Sequence, residues 1–385
     1  MDKSDSEVPH REARSSTATS PILRLVIAWA IAVTVIWTFA TIYGQVGKPE
    51  RELELPQSPV GVLSSWDGTR YRHLAEQGYS TKEEERQLLN LFPLFPGISY
   101  LLGGSKNAAL AGILMNQLLL LGSMMLITGL IPKGGTAPLR EQPGFWLLIS
   151  PFAFFFSTMY TESLFLFLSL VIMLSAHRRC YGIAFIAAVL AGLTRPTAIF
   201  LPLLLISEVM DAFRRRENLQ ILSVAAAPLI GVALYVAAVG FAIGDPLGYL
   251  RIHSGTGNEW SIPFTAMWDA WFWYRINSLD IGTFEPWEIP VATASTALII
   301  LLLVLHGWRK SMAWYLPYVV ASLLIVHAQF PFRGTARYEL VLFPVFLLAA
   351  RSFLAKRWFA PIAAAVSIAL QFCLLFRFAQ WRWVA

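Results

Sequence analysis

Charge is what this sequence has least of. Lys, Arg, Asp and Glu supply 14% of its 385 residues, against roughly 25% in an ordinary soluble domain. That scarcity excludes a soluble core of this length, which would need far more polar surface around it. Cysteine is nearly absent as well. Only Cys180 and Cys373 occur, both at or in apolar runs, so neither a disulfide framework nor a thiolate metal site is expected. There is no Walker A loop, no Rossmann glycine pattern, no HExxH and no Cys-His spacing, and His73, His177, His253, His306 and His327 are scattered. Nucleotide use is therefore unsupported. No cofactor and no metal site are expected, and a divalent ion is left open. The net charge of +6 comes from basic residues in short loops between apolar runs, which marks topology rather than a nucleic-acid partner.

Oil is what the chain has in quantity: 56% of residues are hydrophobic and the mean hydropathy is +0.56. With repeated apolar runs of spanning length, the expected fold class is an all-α polytopic membrane protein. Residues 1–20, rich in Ser, Thr, Arg and acidic groups, are expected to form a disordered cytoplasmic tail. The run from Pro21 to Tyr43 is too long for a signal-peptide core and reads as a retained first span. A single transmembrane domain, 21–385, is expected. Its spans fall at 22–43, 107–131, 144–158, 162–176, 181–194, 196–210, 220–243, 289–306, 312–330, 338–354 and 358–377, about eleven in all. Several are shorter than the ~20 residues of a perpendicular helix, so 144–176 and 181–210 read as broken or tilted helices. "LFPLFPGISYLLGG" at 91–104 is too short and too proline-rich to cross and suits an interfacial or re-entrant segment.

Orientation follows from the basic residues. With Arg11 and Arg14 placed in the cytoplasm, alternation puts Lys133, Arg140, "HRR" at 177–179, "RRR" at 214–216, Arg309, Lys310, Arg351, Lys356 and Arg357 on the same side, as the positive-inside rule requires. The outer side then receives the loops 44–106 and 244–288, "STMYTES" at 157–163, the Thr194-Arg195-Pro196 corner and "FPFRGTARYE" at 330–339. The ions that do not fit the charge rule collect there.

Asp67, in "SSWDGTRYRHLAEQGY", precedes or opens a short helix that Gly78 ends. Asp67 or Ser65 reads as its N-cap, and the same carboxylate, held at a membrane surface, suits a general base. Tyr71, Leu74 and Ala75 share one side of that helix, and Trp66 and Tyr71 are candidate pocket linings. Glu162 starts a span; it reads either as a dipole-favoured first-turn residue or as a functional ion, since an ionisable group in an apolar run costs about 2.5–3.5 kcal/mol. Arg195, a lone cation before Pro196, reads either as a snorkelling helix-end residue or as the partner of Glu162 or of a phosphate, whose oxygens the guanidinium fork fits. Arg333 and Arg337 are further outward cations, and Tyr338 follows them. His253, Asn258, Glu259 and Trp260 offer a ring to stack on a sugar and polar groups for its hydroxyls.

"WDGTRYRHLAEQGY", "LFPLFPGISYLLG", "SPFAFFFSTMYTESLF", "AGLTRPTAIFLPLL" and "ARYELVLFP", in that order, resemble the PIG-V-like mannosyltransferases. These are bacterial relatives of the GPI mannosyltransferase II family and have a GT-C fold. The resemblance runs through most of the chain after residue 60. It implies a membrane-embedded inverting glycosyltransferase that uses a polyprenyl-phosphate sugar, usually mannose, on the non-cytoplasmic side, with a lipid or glycan as acceptor. The family's first-loop Asp matches Asp67, its Tyr-Thr-Glu-Ser motif matches Tyr160–Ser163, and its Arg-Pro corner matches Arg195-Pro196. On this reading Asp67 is the base and Arg195, Arg337 and Arg333 face the donor phosphate. Trp66, Tyr71, Tyr160, Glu162, His253, Glu259 and Trp260 face sugar or acceptor. Membrane lipids are expected partners, and nucleic acid or an obligate protein is not. The length fits a bacterial plasma membrane, or the endoplasmic reticulum if the chain is eukaryotic. The loop 244–288 lies outside the resemblance and leaves the acceptor unnamed. A transporter or flippase of a lipid-linked sugar is the rival reading; it calls for broken mid-span sites open to each side in turn, whereas the odd ions here collect on one face.

Overall fold

The computed structural model describes residues 20–46, 58–131, 137–216, 219–255, 259–276, 288–308, 312–330, 334–382 and 384. The expected tail at 1–20 lies outside these, save for Ser20. The described chain is almost entirely helical, and it is an integral membrane protein. Among the described residues, six helical segments are long and apolar enough to cross a membrane: Ile22–Gly44, Leu94–Gly129, Pro196–Arg215, Gln220–Ile243, Ile289–His306 and Ala360–Ala379.

In chain order, α1 (Pro21–Val46) is followed by α2 (Pro59–Leu63), α3 (Asp67–Gln77), a 3-10 segment (Glu83–Asn90) and α4 (Leu94–Gly129). Next come α5 (Pro143–Ile149), a 3-10 turn (Ala153–Ser157), α6 (Glu162–His177) and α7 (Tyr181–Gly192). A 3-10 run (Pro196–Leu205) leads into α8 (Ile206–Arg215), then α9 (Gln220–Ile243), α10 (Gly248–Gly255) and α11 (Thr265–Ile276). The chain finishes with α12 (Glu288–His306), α13 (Leu316–Val326), α14 (Thr335–Glu339), α15 (Phe343–Ala349) and α16 (Ala360–Ala379). Two short strands, β1 (Glu259–Trp260) and β2 (Gln329–Phe330), pair antiparallel with Glu259 opposite Phe330.

The pattern is that of a protein in lipid. Large apolar side chains on α1, α4, α9, α12 and α16 point outward, among them Ile31, Leu118, Leu234, Val304 and Ile362. Exposed tryptophans stand at both ends of α12: Trp308 just after it, with Trp358 before α16, and Trp260 and Trp268 ahead of its start. Indole rings at two levels suit the two membrane–water interfaces.

The regions expected as spans at 144–158 and 338–354 are not single helices. Pro143–Ile149 and Ala153–Ser157 make one broken path, and Thr335–Glu339, Phe343–Ala349 and Phe353–Ala355 make another. Both are buried, with Leu147, Phe154, Phe156 and Phe343 fully enclosed. Irregular backbone at membrane depth is tolerated where protein surrounds it. The spans expected at 162–176, 181–194 and 312–330 appear as shorter apolar helices, Glu162–His177, Tyr181–Gly192 and Ala313–Val326.

"LFPLFPGISYLLGG" is helical from Leu94 and runs into the expected span at 107, but Gly104 (φ 61°, ψ −174°) breaks the path sharply. A left-handed φ of this kind is open to glycine at little cost. The long loop 44–106 thus holds α2, α3, the 3-10 segment and the first arm of α4, and α3 packs along that arm. The loop 244–288 likewise contains α10, β1 and α11.

Candidate active site

The "WDG" step does not form the cap expected of it. Asp67 is the first residue of α3, and Ser65 donates its hydroxyl to the Val62 carbonyl (2.9 Å), so neither side chain caps the helix. The position before Asp67 belongs to Trp66, whose φ of 59° and ψ of −126° lie in a region that side chains rarely enter. Such a conformation costs on the order of 1–3 kcal/mol and persists only where the surroundings fix it. They do so here. The Trp66 ring packs on Trp381 (5.6 Å), and Tyr160 donates its hydroxyl to the Ser65 carbonyl (3.0 Å). Gly68 lets the start of α3 press on the Tyr160 ring; a Cβ there would sit 3.3 Å from it. Gly78 ends the helix as expected, with φ 82°.

Freed from capping, Asp67 turns its carboxylate to Arg337, whose Nη1 donates to Oδ2 at 3.0 Å. Its other oxygen, Oδ1, meets the exposed Arg70 at 3.3 Å. Arg337 sits on α14 and also approaches Glu162, with Nε 3.4 Å from Oε1. Glu162 heads α6, where the helix N-terminus favours a negative charge. The same Oε1 accepts a hydrogen bond from Nη2 of Arg195 at 3.1 Å. Arg195 occupies an extended corner (φ −153°, ψ 145°) before Pro196, the conformation that a following proline enforces. Leu94 ties that corner to α4 by donating its amide to the Leu193 carbonyl (3.1 Å).

Asp67, Glu162, Arg195 and Arg337 therefore form one chain of contacts with two carboxylates and two cations. Glu162 is 1% exposed, Arg195 6% and Arg337 9%. Aromatic faces enclose the guanidinium groups: Tyr338 lies 4.8 Å from Arg195 and 5.1 Å from Arg337, and Tyr160 lies 5.0 Å from Arg337. Burial opposes the charge on Arg337, yet Tyr338, Glu162, Asp67 and Tyr160 outweigh it and hold its pKa well above the ordinary value. Burial also pushes the phenols of Tyr71 and Tyr160 above their usual range, so both are neutral.

The cluster is incomplete. Glu162 Oε2 and Arg195 Nη1 are buried and have no hydrogen-bond partner. A buried polar group left unsatisfied costs about 1–3 kcal/mol, and more if charged. An arrangement of this kind is suited to accept a ligand that supplies both an anionic oxygen, for Arg195, and a hydroxyl, for Glu162. Asp67 is the most open of the four, with its side chain 21% exposed.

The structure thus brings Asp67, Glu162, Arg195, Arg337, Tyr160 and Tyr71 together, with Trp66 alongside; Tyr71 lies 6.3 Å from Tyr160. His253 and Trp260 form a separate group. His253 bonds Asn90 (2.9 Å), lies 6.3 Å from the Tyr249 ring and 6.4 Å from Trp260, and burial lowers its pKa. Arg333 and the Glu259 side chain lie outside the described residues. Among the described residues no group of three His, Cys, Asp or Glu side chains is placed to hold a metal ion. The clusters of cations at Arg178, Arg179 and Arg214–Arg216 stand at the other end of the bundle, where α6 and α8 finish.

One polar group escaped the reading of the sequence. Glu339, two residues beyond Arg337, is 3% exposed and accepts hydrogen bonds from Ser295 (2.9 Å) and Thr296 (2.6 Å) of α12. His327, wholly buried, brings its Nε2 to 3.3 Å from the same carboxylate. The chain matches no protein-family model and no curated protein.

Proposed function

We propose that this protein is an integral-membrane inverting glycosyltransferase of the PIG-V-like, GT-C type. It moves a sugar, mannose first among candidates, from a polyprenyl-phosphate donor to a lipid or glycan acceptor on the non-cytoplasmic face. The observation that carries the reading is the unsatisfied pair Glu162 Oε2 and Arg195 Nη1, buried beside the Asp67–Arg337 contact. A sugar phosphate offers what that pair lacks: phosphate oxygen for the cation and a sugar hydroxyl for the carboxylate.

In this mechanism the polyprenyl tail lies in the membrane and the phosphate meets Arg195 and Arg337. The acceptor hydroxyl attacks the anomeric carbon from the face opposite the phosphate. The new carbon–oxygen bond forms as the bond to the phosphate breaks, and polyprenyl phosphate leaves with the electron pair. Asp67 takes the proton of the acceptor hydroxyl on Oδ1, whose contact with the exposed Arg70 (3.3 Å) is longer than that of Oδ2 with the buried Arg337 (3.0 Å). A single displacement inverts the centre, so one base suffices. The guanidinium groups stabilise the charge that builds on the leaving phosphate, in surroundings where buried dipoles and charges act strongly. Glu162 holds both arginines toward that phosphate through Oε1.

The test uses purified protein in detergent with a panel of labelled polyprenyl-phosphate sugars and a membrane lipid extract. The expected result is a labelled product of inverted configuration that is lost in D67N. Transfer that survives D67N removes Asp67 as the base. Absence of transfer with every donor, alongside movement of the intact lipid-linked sugar between leaflets of proteoliposomes, replaces the enzyme with a flippase.

A further inference from the structure

We infer that Glu339 is a positioning residue for Arg337, acting through the single turn of α14. The two residues lie two apart on a helix of only five residues, so their side chains leave it in nearly opposite directions. Arg337 goes toward α3 and α6, where it meets Asp67 and Glu162. Glu339 goes the other way, into α12 and the end of α13, where Ser295, Thr296 and His327 hold it. The turn is buried, and side-chain contacts rather than its own backbone hold it. Its N-terminal position, Gly334, is left-handed (φ 72°) and offers no side-chain cap. A helix this short is not stable by itself.

Charge and hydrogen bonds make Glu339 a firm anchor. Its Oε2 accepts from Ser295, and its Oε1 accepts from Thr296 and faces Nε2 of His327. His327 is in turn fixed by the Phe264 ring stacked 4.6 Å away, while its carbonyl accepts the Phe264 amide (2.9 Å). Both oxygens of the carboxylate are therefore satisfied, in contrast to Glu162. Rotation of α14 would break these bonds in a buried setting, which sets a steep cost on moving Arg337 away from Asp67 and Glu162. The placement of Arg337 follows from the contacts alone. Its consequence for donor binding rests on the function proposed above.

Two measurements test this. The first needs no ligand. In a C180S/C373S background, T335C, buried on the same turn and leaving Arg337 intact, should be alkylated slowly, and adding E339A should speed alkylation about tenfold, a difference of about 1.4 kcal/mol in site opening. E339Q keeps one oxygen for Thr296, and its amide can donate to a reoriented Ser295 hydroxyl, so it should restore the slow rate. Equal rates in the E339A and parent proteins overturn the inference. The second measures binding of a polyprenyl monophosphate by its effect on thermal unfolding in detergent. E339A should weaken binding about tenfold, and adding E339A to R337K should weaken it no further, as expected when one residue acts through the other. Wild-type affinity in E339A, with only a lower melting temperature, reduces Glu339 to a structural role and also overturns the inference. A wild-type protein that no polyprenyl phosphate stabilises defeats the proposed function instead, and alkylation then decides the role of Glu339.

Discussion

Two glutamates are buried to almost the same degree in this protein, and their surroundings differ in kind. Glu339 has a hydrogen-bond donor for each oxygen and sits among hydroxyls and an imidazole. Glu162 has two guanidinium groups on one oxygen and nothing on the other. A buried network in which every member is satisfied rigidifies the fold; one left partly satisfied keeps groups that a further partner would stabilise. The first kind of site is suited to hold a turn in place, and the second is suited to a ligand. The difference lies in hydrogen-bond completeness, and burial alone would have classed the two together.

The strongest way to break this comparison is to remove Arg337. R337A strands Asp67 and Glu162 with less compensation, so stability in detergent should fall by about 3–5 kcal/mol and sugar transfer should vanish. A melting temperature near wild type would mean that the open cluster is not electrostatically coupled. D67N sharpens the contrast: transfer should drop by about 10²–10⁴, as for loss of a general base, while the melt moves little because Asp67 is the most exposed member. On the closed side, T296V removes one donor from Glu339 and should cost about 1–3 kcal/mol. A larger effect on transfer than on the melt would set Thr296 among the site residues. Y160F deletes the hydroxyl bond to Ser65 and should cost about 1 kcal/mol, with transfer largely kept. The smallest effect belongs to His253. Its pKa is lowered by burial, so its contribution is present above the ordinary histidine pKa and is lost as pH falls through the depressed value. H253Q should flatten that part of the pH–stability curve.

The ions of the open cluster were legible because each stands where an apolar chain has no routine use for one. Their pairing was not legible, since Asp67 and Arg337 are 270 residues apart. The capping role expected of Asp67 failed for a local reason. An Asp just before a helix and an Asp at its first position look alike in sequence, and the backbone of Trp66 decides between them. Glu339 was passed over because it sits at the edge of a run that reads as a span, "YELVLFPVFLLAA". Hydropathy reports that such a run avoids water and does not say whether lipid or protein surrounds it. The same ambiguity made 144–158 read as a span, although its residues are mostly enclosed by neighbouring helices.

The crossing of α7 and α9 offers a way to act on the Arg195 corner from a distance. Gly192 and Gly231 face each other there, and a Cβ on Gly192 would strike the Pro228 carbonyl while one on Gly231 would strike the Val189 carbonyl. In lipid, close backbone approach is a main source of helix association. Gly192 lies three residues ahead of Arg195, at the end of the helix that delivers it. One added methyl group at either glycine, in wholly apolar surroundings, would wedge the pair apart and carry the Arg195 corner with it. G192A and G231A are therefore expected to lower the proposed sugar transfer while every charged and polar side chain stays intact, which a transfer assay beside an expression check in membranes would show.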